Sequence, residues 1–157
     1  MLKTIFVVDD NDTNLSMARD TLRDHYRVLT LPSAHKLFAM IEKVTPDLIL
    51  LDIEMPEMDG FEALELLKSN PALSQIPVIM LTGMADSEME IRGFRLGAAD
   101  FIAKPFSAPV LINRIRSHLD IEELIRERTT QLEDKIKQLE ALLGGASSIP
   151  VDFTENQ

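Results

Sequence analysis

Four apolar runs each end in a residue able to do chemistry. Phe6-Val7-Val8 leads into Asp9-Asp10, Leu48-Ile49-Leu50-Leu51 into Asp52, Val78-Ile79-Met80-Leu81 into Thr82, and Phe101-Ile102-Ala103 into Lys104. Continuous β-branched and Leu-rich runs of this length read as strands buried on both faces, which means a parallel sheet. All strands of such a sheet end on one edge, where open α/β sheets bind ligands. Three carboxylates, a hydroxyl and an ammonium would therefore meet at one rim. Clustered carboxylates repel one another and need a compensating cation. Mg2+ suits them, because it prefers oxygen ligands and is held through one or two protein carboxylates plus a phosphate. Lys104 supplies a point charge and Thr82 a short hydroxyl donor. The set fits phosphoryl transfer, in which a protein mainly positions groups and neutralises charge. A carboxylate can itself be the nucleophile. Asp52, alone at the end of the most hydrophobic run, is the best candidate.

Each of these residues read singly has a plainer explanation. Asp favours turns and caps, so Asp9 or Asp10 could simply cap a following helix. Thr82 could cap a turn and Lys104 could be a surface lysine. The joint spacing at four strand ends is what points to a site. His25, His35 and His118 lack metal-ligand spacing and read as surface or packing residues. The eight Met residues read as core and loop filler.

The elements that must position these groups alternate along the chain. Strands are expected over 4–8, 28–31, 47–51, 77–81 and 101–103. Helices are expected over 12–23, from 34 to beyond 41, from about 61 to before Pro71, over 87–96, and from Ser107 onward. Leu15, Ala18 and Leu22 share a face of the first helix, and Ala34, Leu37, Phe38 and Ile41 a face of the second. Ser33 and Ser107 stand at N-cap positions. Met55-Pro56-Glu57-Met58-Asp59-Gly60 reads as a loop. Five βα units with short connections predict an α/β fold. The expected sheet is parallel, its five strands in the order 2-1-3-4-5 with helices on both faces. Strands 1 and 3 then flank the topological switch point, where Asp9, Asp10 and Asp52 stand.

The last helix is expected to extend well past the sheet. Ile125, Leu132, Ile136, Leu139 and Leu143 occupy alternating d and a heptad sites, with Thr129 the one polar a position. Arg128 and Lys135 fall at g, and Glu133 and Glu140 at e. In a parallel dimer these pair as Arg128 with Glu133 and Lys135 with Glu140, opposite in sign both times. The plainer alternative is a solvated amphipathic helix packing on its own domain. The expected organisation is residues 1–120 as the phosphoacceptor domain, 121–143 as a coiled-coil stem and 144–157 as a flexible linker or tail. The tail composition suggests a domain cut from a longer chain.

Size and charge narrow the class. The chain has 157 residues, 45% of them hydrophobic, enough for one domain with a core and an appendage. A formal net charge of −10 disfavours a nucleic-acid surface. No Cys is present, which excludes disulfides and thiolate metal sites. The apolar runs are too short to span a bilayer. Residues 1–3 leave no room for a signal peptide before the first strand. A cytoplasmic protein with no nucleic-acid or membrane partner is expected.

Over residues 2–119 the chain closely resembles the response-regulator receiver domain of two-component signalling. The resemblance rests on Val7-Val8-Asp9-Asp10-Asn11, on Asp47 through Pro56 closed by Met58-Asp59-Gly60, on Pro77 through Gly83, and on Gly97 through Phe106. It implies a flavodoxin-like fold. It implies that Asp52 is phosphorylated from a phosphohistidine on a sensor histidine kinase or phosphotransfer protein. Asp10 and Asp52 would ligate Mg2+, with Asp9 acting through water and the Glu54 backbone carbonyl completing the protein ligands. Thr82 and Lys104 would contact phosphoryl oxygens, and the Lys104–Pro105 peptide would be cis. Thr82 and Phe101 would form the switch. Phe101 replaces the common Tyr, so no phenolic hydroxyl is available. Gly83 stands where Ala or Ser is frequent and leaves space beside the site. Pairing of two copies would use the fourth helix, fifth strand and fifth helix, helped by the stem. The Gly-Ala-x-Asp-Phe-Ile block with a His-Leu-ending last helix resembles receivers joined to cyclic-dinucleotide enzymes, phosphatases or kinases.

Two other readings stay open at this point. A haloacid-dehalogenase-type phosphatase also uses an Asp nucleophile and Mg2+, but it needs a second Asp where this chain has Glu54. A degenerate receiver used as a scaffold would be supported by a missing site residue, and none is missing. Nucleotide binding is weaker still, since no glycine-rich loop follows the first strand.

Overall fold

A computed structural model describes residues 2–83 and 86–144. The proposed linker or tail at 144–157 lies outside these residues except for Gly144. The chain divides into two compact units, residues 1–119 and 120–157.

In the first unit the elements run β1 (Thr4–Val8), α1 (Asp12–Leu22), β2 (Arg27–Leu31), α2 (Ala34–Ile41), β3 (Leu48–Asp52), α3 (Gly60–Ser69), β4 (Val78–Thr82), α4 (Ser87–Leu96) and β5 (Asp100–Ala103). The final helix, α5, spans Ala108–Leu142 and begins in this unit. The strands are parallel in the order β2-β1-β3-β4-β5, as the sequence pattern predicts.

Every residue of β1, β3 and β4 is buried, which is why these strands carry continuous rather than alternating apolar runs. The pleat nevertheless sorts their side chains. Ile5, Val7, Leu48, Leu50, Ile79, Leu81 and Ile102 pack with Leu15, Ala18 and Leu22 of α1 and Leu111, Ile115 and Leu119 of α5. Phe6, Val8, Ile49, Leu51, Val78, Met80 and Phe101 form a second core with Leu37 and Ile41 of α2 and Leu64 and Leu67 of α3. Thus α1 and α5 cover one face, and α2 and α3 the other.

Boundaries differ from the sequence expectation by a residue at functional points. Asp52 and Thr82 lie inside their strands rather than just after them. The reason is the ladder: Asp52 is opposite Leu81, and the Ile53 N–H donates to the Leu81 carbonyl at 3.1 Å. The Lys104 N–H likewise donates to the Thr82 carbonyl at 2.7 Å. Asp47 lies before β3, its carboxylate accepting from the Thr4 N–H at 2.7 Å. β2 begins at Arg27, one residue early, paired with Thr4.

Helix ends follow capping chemistry. Asn11 caps α1, accepting from the Asn14 N–H, so neither Asp9 nor Asp10 serves that role. Asp59 and Glu62 form a reciprocal capping box at α3; such a cap contributes about 1 kcal/mol. Gly97 ends α4 with φ of 109°, a left-handed conformation natural to glycine.

The second unit contributes residues 120–142 of α5, exposed almost throughout. Among the described residues no helix is long and apolar enough to cross a membrane.

Candidate phosphoacceptor and metal site

The ends of β1, β3 and β5 bring Asp9, Asp52 and Lys104 together on one side of the sheet. Each carries the pleat parity of the α1 and α5 face. Lys104 Nζ lies 2.8 Å from Asp52 Oδ1 and 3.5 Å from Asp9 Oδ2. Oxygens of Asp9, Asp10 and Asp52 all lie within 4.8 Å of one another. These residues line a cavity of about 340 Å³ with Asn14, Glu54 and Gly83. Asp10 is exposed at its rim.

Asp9 and Asp52 are buried, Asp52 to 2% exposure. Burial pushes the Asp52 carboxyl up from 3.8 to about 6. The Lys104 hydrogen bond and charge oppose this rise, and the Asp9 carboxylate adds to it. Lys104 moves upward as well. Burial alone would lower it, but the bond to Asp52 and the charges of Asp52 and Asp9 outweigh that. One ammonium thus contacts two of the three clustered carboxylates, leaving the cluster short of positive charge. Hard oxygen donors at this spacing, with cationic charge lacking, fit a small divalent cation.

Residues not singled out in the sequence hold Asp9 in place. Its Oδ1 accepts from the Asn11 N–H at 2.9 Å, and its Oδ2 from Asn14 Nδ2 at 3.1 Å. The readable signal is spacing: Asn11 caps α1 and Asn14 sits at its third position, so both face back toward the strand end. Gly60 was legible only as a turn residue. Its N–H donates to the Ile53 carbonyl at 2.8 Å, and a Cβ there would overlap the Asp52 carbonyl oxygen. Close backbone approach therefore requires glycine. Gly83, by contrast, has no atom of the other described residues near the position of a Cβ.

Thr82 and Phe101 are placed differently. Both carry the opposite pleat parity, toward α2 and α3. Thr82 is buried and does not line the cavity. Phe101 is 8% exposed, edge-on to Phe94 of α4 with ring centroids 5.0 Å apart. Its ring fills the space left by Gly93, where a Cβ would overlap it. The Lys104–Pro105 peptide is cis.

A second polar cluster stands at the opposite end of β5. Asp100 accepts from Arg114 at 2.9 Å and from the Phe101 N–H at 2.8 Å, and His118 Nε2 lies 3.0 Å from its other oxygen. Burial would raise Asp100, but these partners hold it below the usual carboxylate range. His118 is thus a packing residue with a specific partner, which its lone position in the sequence did not reveal.

Comparison with known proteins places these features in context. Residues 5–116 match the profile of the response regulator receiver domain. The protein named "Probable cyclic di-GMP phosphodiesterase" of Vibrio cholerae is 41% identical over 116 residues, covering 74% of this chain and 26% of that protein. Response regulator PleD of Caulobacter vibrioides is 33% identical over 150 residues, covering 95% of this chain and 33% of PleD. The chain thus spans about a quarter to a third of these two relatives. Among solved structures, a CheY-like receiver domain protein of Methanospirillum hungatei superposes with a TM-score of 0.73 at 32% identity, covering 78% of this chain and 98% of that one.

Proposed function

Because this chain belongs to the response-regulator receiver family, we propose that Asp52 accepts a phosphoryl group from a phosphohistidine on a sensor histidine kinase or phosphotransfer protein. The observation that carries the reading is Asp52 itself: buried, at the end of β3, with Lys104 Nζ at 2.8 Å and Asp9 and Asp10 beside it. An Asp52 carboxylate oxygen attacks phosphorus and forms the P–O bond. The P–N bond to the donor imidazole breaks, its electron pair goes to the ring nitrogen, and that ring takes up a proton. Lys104 offsets negative charge on the phosphoryl oxygens, and Thr82 donates its hydroxyl to one of them. With its carboxyl near pH 6, Asp52 is ionised at neutral pH and ready to attack.

Asp10 and Asp52 would hold Mg2+ directly, Asp9 through water, and the Glu54 carbonyl would complete the protein ligands. When bound, the ion supplies charge neutralisation between carboxylates and phosphoryl group. The chain acts as a signalling domain whose only catalysis is on its own Asp52, in the cytoplasm where such phosphorelays run. Residues 1–120 form the receiver and 121–143 the coiled-coil stem. Movement of Thr82 toward the phosphoryl group, with Phe101 as its aromatic partner, reshapes the surface of α4, β5 and α5, where two receivers pair.

Incubation with acetyl phosphate and Mg2+ tests the reading by intact mass. One phosphoryl mass is expected on the chain and none on Asp52→Ala or in excess chelator. Mass gained by Asp52→Ala would overturn the assignment. Full phosphorylation in chelator would remove the metal from it.

A further inference from the structure

From the second unit we infer that residues 125–143 dock on a second copy of this chain as a parallel, in-register, two-stranded coiled coil. The helix from 120 to 142 is exposed almost throughout. Leu132 is 61% exposed and Leu139 59%, and Ile125, Ile136 and Leu143 are likewise open. These five fall on one heptad seam with Thr129. A lone stripe of this kind is the face a helix buries against a partner.

The partner's chemistry follows from the same residues. In the middle of the seam, Ile136 at a between Leu132 and Leu139 at d is the arrangement that favours two strands; Ile125 at d and Leu143 at a, at its ends, do not add to that preference. The flanking charges choose the orientation. In a parallel pair, Arg128 and Lys135 at g meet Glu133 and Glu140 at e of the other copy, so both contacts are attractive. In an antiparallel pair, g faces g and e faces e. With the seam aligned antiparallel, Glu133 would meet Glu133 and Lys135 would meet Lys135, while Arg126, also at e, would meet Glu140. The sequence therefore repels the antiparallel self-pairing at the centre of both flanks, whereas both parallel g–e contacts attract. Among the described residues none of these four makes an ion pair within its own chain, whereas neighbouring Arg126 binds Glu123 at 3.3 Å. The charges that matter for a partner are the ones left without an intrachain ion pair. This docking does not depend on phosphorylation of Asp52, and each can fail without the other.

The absence of cysteine makes the test clean. Leu132→Cys and Leu139→Cys are made separately in the full chain and oxidised. In a parallel, in-register pair each residue faces its own copy, so both variants should form disulfide dimers. In an antiparallel pair only a residue at the centre can face itself, so at most one would. Sedimentation should show dimer at micromolar concentration for the unmodified chain. It should show monomer for Leu132→Asp plus Leu139→Asp, with acetyl-phosphate labelling retained as proof that the receiver is folded. Lys135→Glu should weaken dimerisation roughly tenfold or less, the scale of an exposed charge pair, and Lys135→Glu with Glu140→Lys should restore it. A monomeric unmodified chain, a dimer indifferent to the double Asp variant, or crosslinking by only one of the two cysteines would overturn the inference.

Discussion

In metal-free solution, replacing Asp52 should make the protein more stable. The folded chain carries Asp52 with its carboxyl near 6, against 3.8 for the ordinary group. About two pH units separate these values, and each is worth about 1.4 kcal/mol. The ionised carboxylate therefore costs the folded state about 3 kcal/mol at pH 7. That figure already includes the attraction of Lys104, because Lys104 is among the causes that set the value. The sign follows from proton binding. Between about pH 4 and 6 the folded chain retains a proton that the unfolded chain has lost, so raising pH through that window destabilises the fold. Asp52→Asn keeps the shape and removes the charge. In excess chelator at pH 7 it should gain about 3 kcal/mol, or roughly 10 °C in melting temperature. At pH 4 the gap should fall below about 1 kcal/mol. Mg2+ at 100 times its Kd should return about 2.7 kcal/mol to the unmodified protein and nearly close the gap. Denaturant titrations at the two pH values, with and without Mg2+, would measure this. An equal gain at pH 4 and pH 7 would mean a packing effect, and no gain would mean that the site is not desolvated.

Three further substitutions probe the supports of the site. Asn14→Ala removes the 3.1 Å bond to Asp9 and should weaken Mg2+ binding up to about tenfold, read by calorimetry; unchanged affinity would show that Asp9 needs no such support. Gly60→Ala drives a Cβ into the Asp52 carbonyl. It should cost about 1–3 kcal/mol and slow labelling by acetyl phosphate, and an unperturbed melting curve would contradict the close approach. Gly93→Ala should expel the Phe101 ring from its slot against α4, visible as loss of the NMR contact between Phe94 and Phe101; persistence of that contact would mean that the helix, not the ring, gives way.

The fold was legible because its signals are local or periodic. The buried strands announce themselves as unbroken runs such as Leu48 to Leu51, and Gly97 marks the end of α4. The rim was legible at strand ends because a parallel sheet aligns them. Other parts depend on contacts that only the folded chain creates. Asp100 meets Arg114 and His118, 14 and 18 residues later, through the docking of α5 on β5, and nothing in either segment announces the other. Gly93 inside a helix reads as a propensity defect until Phe101 is seen occupying its missing side chain. Asn14 reads as an ordinary first-turn residue until the buried Asp9 carboxylate is found in front of it.

The pleat also imposes a division of labour. Asp9, Asp52 and Lys104 share one side of the sheet with α1 and α5, while Thr82 and Phe101 share the other with α2 and α3. A phosphoryl group on Asp52, as proposed, would add its charge on the α1 side of the sheet. To reach the far side, the proposed switch would work through displacement of Thr82 at the end of β4. On the proposed phosphoryl transfer the two sides would be separate output channels with one input, electrostatic on the first and mechanical on the second. Thr82→Ala would disconnect the second channel while leaving the first in place.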